Sequence, residues 1–139
     1  MKEEKIPKIN LTEKEWKERL TPEQFKILRE KGTDIPYAGK YYKEKRTGIY
    51  RCAACGHELF RSASKYDSGC GWPSFFEPSD EDNIIYKDDN SFFMHRTEIQ
   101  CSNCGSHLGH IFDDGPNPTG LRYCVNSTSL DFSEKESED

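Results

Sequence analysis

The chain is predicted to be a mainly β domain, entered through short N-terminal helices and stapled by a four-cysteine zinc site. Three observations carry that reading. Helix caps are confined to residues 11–32. Beyond residue 33, short runs rich in aromatic and β-branched residues alternate with Gly, Pro, Asn, Asp and Ser, as in strands joined by turns. Two C-x-x-C-G knuckles, CAACG at 52–56 and CSNCG at 101–105, bracket the central half of that region. A length of 139 residues suits one domain. Only 33% of the residues are hydrophobic, so the core is thin and a metal staple matters more.

The elements follow in order. Residues 1–10 are expected to be a flexible tail, ahead of a domain at 11–132. In LTEKEWKERL, Thr12 followed by Glu15 is a capping box that starts a short helix. TPEQFKILREKG repeats the pattern: Thr21 caps, Pro22 suits the first helical position, Gln24 reaches back and Gly32 ends the helix. Phe25 and Leu28 lie three apart on one face and should dock on the body. GIYRC, SFFMHRTEIQC and LRYCVNSTSL are predicted strands of an antiparallel β body. YDSGCGWPSFFEP and DDGPNPTG are long enough to be functional loops. Residues 133–139 are expected to be a polar, flexible end.

Charge and hydropathy exclude some partners. Lys and Arg number 20 against 25 Asp and Glu, a net charge of −5, which disfavours a nucleic-acid partner. No apolar run approaches the ~20 residues that span a bilayer. MKEEKIPKIN carries lysines but no apolar stretch of a signal peptide. The expectation is a cytoplasmic, monomeric protein. In a reducing compartment its cysteines serve as metal ligands or reactive thiols rather than as disulfide scaffolding.

Cys52, Cys55, Cys101 and Cys104 are the predicted zinc ligands. A C-x-x-C pair aims two thiolates at one ion, and the following glycine lets backbone N–H groups turn toward sulfur. Two knuckles make a closed tetrahedral site with no open position for substrate, hence a structural one that adds folding energy. The alternatives are two redox motifs or plain buried thiols. A set of Cys101, Cys104, His107 and His110 is too tightly spaced for a finger and orphans the first knuckle.

Cys70 and Cys124 remain. Cys70 sits between Gly69 and Gly71 on a loop, and Cys124 on a predicted strand. A fixed thiol that attacks and a mobile thiol that resolves form a redox pair: a sulfenic acid on the first condenses with the second to a disulfide. The alternative is that each is a small buried hydrophobe. Arg122, two residues before Cys124, shares its strand face, and a cation lowers a thiol pKa. His107 and His110, three apart, are candidate proton donors near neutral pH. His57, and His95 in an apolar strand, are assigned structural roles. Trp72 is either core or an apolar wall beside the loop thiol.

SGCGWPSF, HLGHIFDDGP and RYCVNS, with the two knuckles around them, resemble the B-type methionine sulfoxide reductases over residues 11–132. The resemblance implies two small antiparallel sheets with peripheral N-terminal helices, and one structural Zn²⁺ on Cys52, Cys55, Cys101 and Cys104. It implies reduction of the R epimer of methionine sulfoxide, in oxidised proteins or free. Cys124 would be the nucleophile, Cys70 the resolving cysteine and thioredoxin the reductant. Trp72 would wall the substrate methyl group, and His107, His110 and Asn126 would hold the sulfoxide oxygen, the substrate or a water. Asn126, two residues past Cys124, joins Arg122 as a polar floor of the pocket. A non-enzymatic zinc-ribbon binding module and a general thiol peroxidase or disulfide reductase are the competing readings.

Overall fold

The computed structural model describes residues 7–134, the Phe92 side chain excepted. Helices α1 (Glu13–Arg19) and α2 (Pro22–Leu28) both begin at the expected capping boxes. Thr12 Oγ1 accepts from the Glu15 N–H at 3.2 Å while Glu15 accepts from the Thr12 N–H at 2.8 Å. Thr21 and Gln24 do the same at 3.1 and 3.0 Å. α2 stops four residues short of Gly32. The Arg29 and Glu30 N–H groups both turn onto the Phe25 carbonyl, and Lys31, not Gly32, takes the left-handed conformation at φ 58. Trp16, Phe25 and Leu28 are buried in the core, as their spacing predicts for the second helix.

The β body is two antiparallel sheets. In the smaller, β1 (Gly48–Cys52) lies between β2 (Glu58–Arg61) and β9 (Leu130–Glu134). The larger runs in the order β3 (Lys65–Tyr66), β4 (Ser74–Phe75), β8 (Arg122–Val125), β7 (His107–Phe112), β6 (Arg96–Cys101), β5 (Ile84–Asp89). GIYRC is a strand as predicted, but the other two runs are only partly extended. Residues 91–93 and 127–129 are single 3₁₀ turns. His95, expected inside a strand, therefore precedes β6 and is exposed, its Nδ1 2.7 Å from Asn90 Oδ1. A positive φ of 59 at Phe93 breaks the extended run just before it. Of the expected tails, residues 1–6 and 135–139 lie outside the described residues. Ile9 N–H donates to Asn103 O at 2.8 Å, and Ser133 and Glu134 pair with Ile49 and Gly48.

The two sheets meet through aromatic side chains. Phe60 of β2 stacks on Phe75 of β4 with centroids 4.3 Å apart, Tyr50 meets Phe75 at 5.1 Å, and Tyr123 meets Phe60 at 5.7 Å. All four are buried at 1% exposure or less. Each such side chain contributes about 1.5–3 kcal/mol over leaving it exposed. That preference fixes which face of the larger sheet turns inward. Phe75 pairs with Tyr123, and strand side chains alternate, so Ser74 and Cys124 must point to the opposite face.

Register then aligns one residue from every strand on that face. Tyr66 pairs with Ser74, Ser74 with Cys124, Cys124 with His110, His110 with Glu98 and Glu98 with Lys87. A thiol, an imidazole and a carboxylate thus stand side by side across β8, β7 and β6.

Candidate functional site

The two histidines of HLGH should point to opposite faces of a regular strand, being three apart. A bulge corrects this. Ile99 pairs with Gly109 but Gln100 pairs with His107, so Leu108 is the extra residue. His107 and His110 come to the same face, with ring centroids 5.6 Å apart. Gly109 is required between them: a Cβ there would lie 1.9 Å from the Cys124 carbonyl oxygen. Its lack of a side chain lets β7 and β8 close and holds His110 opposite Cys124.

Each imidazole is held by a carboxylate. His107 Nδ1 lies 2.7 Å from Glu98 Oε2, both residues buried. His110 Nε2 lies 2.7 Å from Asp89 Oδ2. Burial holds His110 below the usual imidazole range, opposed by Asp89. Asp89 is itself held well below the usual carboxylate range, first by His110 and then by Ser91.

The two remaining thiols are in contact. Cys70 Sγ lies 3.2 Å from Cys124 Sγ, both half-buried and both free thiols. The Cys70 loop returns to β4, where Ser74 Oγ lies 3.4 Å from Cys70 Sγ and 2.7 Å from Ser68 Oγ. A proton shared with Cys124, helped by Ser68 and Ser74, outweighs burial and brings Cys70 down to about 4. Cys124 is pushed up, first by Cys70 and then by burial, while Arg122 acts the other way. The pair therefore holds one negative charge at neutral pH, because two charges this close exclude each other. Arg122 is fixed beside it by two bonds to Asp114, at 2.9 and 3.1 Å, and lies over the Phe112 ring at 4.3 Å.

A second loop clamps the first. Trp72 Nε1 donates to Asp34 O at 3.0 Å, and Tyr37 N–H donates to Gly71 O at 2.7 Å. Gly71 takes φ +101, with Pro36 packed against its α-carbon side. Asn126 does not form part of β8; it begins the 127–129 turn. Its Oδ1 accepts from the Asp34 N–H at 3.0 Å, and its Nδ2 approaches Gly32 O and Leu108 O at 3.4 Å. Asn126 thus anchors the segment that holds the Trp72 indole.

The four knuckle thiols cluster where β1 and β6 end, at Cys52 and Cys101. Their sulfurs all fall within 4.8 Å of one another, with Cys52–Cys104 at 3.7 Å and Cys55–Cys101 at 3.6 Å. A tetrahedron of sulfurs at ~2.3 Å from a metal has edges near 3.8 Å, so the set fits a metal ion. Gly56 and Gly105, at φ 81 and 76, close equivalent turns by donating to Cys52 O and Cys101 O. Asn103 Nδ2 donates to Cys55 Sγ at 3.3 Å. Arg29 Nη1 donates to Cys104 O at 2.9 Å and its guanidinium lies over Trp16, which fastens the helices to the second knuckle.

The SelR domain family matches this chain over residues 20–134. The chain belongs to the SelR family. Among curated relatives, it is 56% identical to the peptide methionine sulfoxide reductase MsrB of Methanosarcina mazei, over 93% of this chain and 92% of that protein. It is 55% identical to the protein of the same name from Methanosarcina barkeri, covering 92% and 90%. For that of Acinetobacter baylyi the identity is 54%, over 95% of both chains.

The SelR match runs from the end of α1 to β9 and contains both the knuckles and the thiol pair. Cys124, His107, His110 and Arg122 share one face of the larger sheet at its central strands β8 and β7, and the Cys70 thiol meets Cys124 there. Trp72 joins them through its loop, and Asn126 acts through Asp34. His57 is remote, its Nε2 3.0 Å from Asn83 Oδ1. The sequence reading missed Ser68, Ser74, Asp34, Asp89, Glu98 and Asp114. Only Glu98 left a signal, as an acid between Thr97 and Ile99 in a buried run.

The shared charge has a measurable consequence. An ordinary thiol loses about 100-fold in alkylation rate between pH 8 and pH 6, because its thiolate fraction falls tenfold per unit. A group held down to about 4 keeps its thiolate across that window. Iodoacetamide labelling of the 70/124 pair, followed by peptide mass, is expected to slow less than threefold from pH 8 to pH 6. A fall near 100-fold would show two independent thiols.

Proposed function

We propose that this protein reduces the R epimer of methionine sulfoxide to methionine, using the Cys70–Cys124 pair as its two-electron donor. The observation that carries the reading is the 3.2 Å thiol contact in register with His110, in a chain of the SelR family. The names of its relatives as peptide methionine sulfoxide reductases support the substrate class.

Cys124 is the nucleophile. Its support is positional: it sits on a central strand opposite His110 and beside the Arg122 cation. Moving the shared proton from Cys124 to Cys70 places the thiolate on the strand sulfur. That sulfur attacks the sulfoxide sulfur while an imidazolium of the His107/His110 pair gives a proton to the oxygen. The S–O bond breaks as the hydroxyl passes to the Cys124 sulfur, the new bond between the two sulfurs breaks with its electron pair staying on methionine, and Cys124 is left as a sulfenic acid. The Cys70 sulfur attacks it, its proton leaves with the hydroxyl as water, and a Cys70–Cys124 disulfide forms. The sulfurs are already in contact, so closure needs a shift of about 1.2 Å to the ~2.0 Å bond. A dithiol, thioredoxin by this reading, reduces the disulfide. Trp72 walls the substrate methyl group.

The four-thiolate set takes Zn²⁺ in a structural role, tying β1 of one sheet to β6 of the other. The catalytic unit is the domain at 11–132, acting as a cytoplasmic monomer. Among the described residues no helix is long and apolar enough to cross a membrane.

Cys124→Ser is expected to abolish reduction of methionine-R-sulfoxide, measured as methionine released; retained turnover would refute the nucleophile. Cys70→Ser is expected to release one methionine per chain and then stop with thioredoxin as reductant, whereas unchanged recycling would remove its resolving role. For the metal, Cys52→Ser is expected to lose bound zinc by atomic absorption and to lower Tm. Full zinc content in that variant would contradict the four-thiolate site.

A further inference from the structure

Glu98 is an acid buried to 2% exposure in the middle of β6. A carboxylate is placed there only if its oxygens are satisfied. Oε2 lies 2.7 Å from His107 Nδ1 and accepts from Gln100 Nε2 at 3.1 Å. Oε1 accepts the Lys31 ammonium at 3.1 Å. Burial opposes the charge, but His107, Gln100 and Lys31 outweigh it and hold Glu98 down to about 2.

Lys31 is unusual in itself. It is a non-glycine residue at φ 58, just beyond α2, and its long side chain leaves an exposed stem to end on this buried acid. A costly backbone conformation thus delivers a cation from outside the sheet to a carboxylate inside it.

An ionised carboxylate only accepts hydrogen bonds, so the hydrogen in the 2.7 Å contact belongs to His107 Nδ1. Nε2 is then the nitrogen left for chemistry. His110 is held the other way round, by its Nε2 on Asp89. The neighbouring rings present different nitrogens, and only His107 has its orienting acid fully enclosed.

The geometry points to Glu98 as a positioning residue: closed off by Lys31, it locks His107 in the Nδ1–H form and directs Nε2 at the sulfoxide oxygen. This rests on the reductase reading above. When the imidazolium gives its Nε2 proton to that oxygen, the ring keeps its Nδ1–H on Glu98 and returns as one neutral tautomer. Solvent restores the proton after methionine leaves.

The test has an arm that needs no turnover. Long-range ¹H–¹⁵N spectra of the reduced, substrate-free protein at about pH 8.5, above the usual histidine range, report ring tautomers. His107 is expected in the Nδ1–H form; an Nε2–H form would overturn the proposal without touching the reductase reading. Glu98→Gln is expected to mix the two tautomers and to lower kcat at least tenfold, with KM changed less than twofold. Glu98→Asp is expected to recover part of that loss. A Glu98→Gln protein with full kcat would overturn the proposal. Should that variant fail to fold, Lys31→Met carries the kinetic arm, with a threefold or greater loss in kcat expected and an unchanged kcat overturning it. Absence of sulfoxide reduction by the unaltered protein would instead remove the reductase reading and leave the tautomer result to stand alone.

Discussion

The register of β8 is the constraint from which the site follows. Tyr123 and Val125 point into the core and Cys124 points away from it, between Ser74 on β4 and His110 on β7. A slip of one residue would bury the thiol and expose a tyrosine that meets Phe60. Aromatic packing between the sheets therefore does more than stabilise them. It decides which sulfur faces the histidines, and it allows that sulfur little freedom. Cys70 reaches the same place by a different route, from a loop pinned at Trp72 and Gly71 by the 34–37 segment. One thiol is fixed by a sheet and the other by loop-to-loop hydrogen bonds.

The four-thiolate site acts at a distance from this chemistry. Its two knuckles begin at the ends of β1 and β6, which belong to different sheets, so a metal held there would couple the sheets. Arg29 extends the same joint to the helices through Cys104 O, Ser106 and the Trp16 ring. In a chain with 33% hydrophobic residues, that joint replaces core that the composition does not supply. The surface ion pairs, such as Arg46 with Glu134, are exposed and contribute little by comparison.

Much of this was legible in the sequence, and the limits have physical reasons. The caps at Thr12 and Thr21 are local chemistry and appear as predicted. The knuckles are local as well, each defined by two thiols and a glycine. Cys124, Cys70, His107 and His110 stand out in short motifs, and the fold sets Cys124 beside Cys70 and opposite His110. What the motifs do not contain is pairing across strands. The Leu108 bulge, which brings His107 onto the face of His110, depends on how β6 and β7 align. Glu98 and Asp89 meet histidines 9 and 21 positions away and Ser74 pairs with Cys124 across the sheet, contacts that the local sequence does not reveal beyond the acid set between Thr97 and Ile99. Asn126 shows where strand alternation stops applying. Alternation places it beside Arg122 on the pocket floor, but β8 ends at Val125 and its side chain turns to Asp34 instead.

In the proposed reaction Cys70 and Cys124 together supply the two electrons. Fully reduced protein, mixed with each sulfoxide epimer separately and with no external reductant, tests it most directly. Released methionine is measured against chain concentration, and proteolytic peptides are mapped for linkage. One methionine per chain is expected from the R epimer, none from the S epimer, and a Cys70–Cys124 linked peptide in the same amount. Methionine formed while both thiols remain alkylatable, or equal reaction with the two epimers, would contradict it.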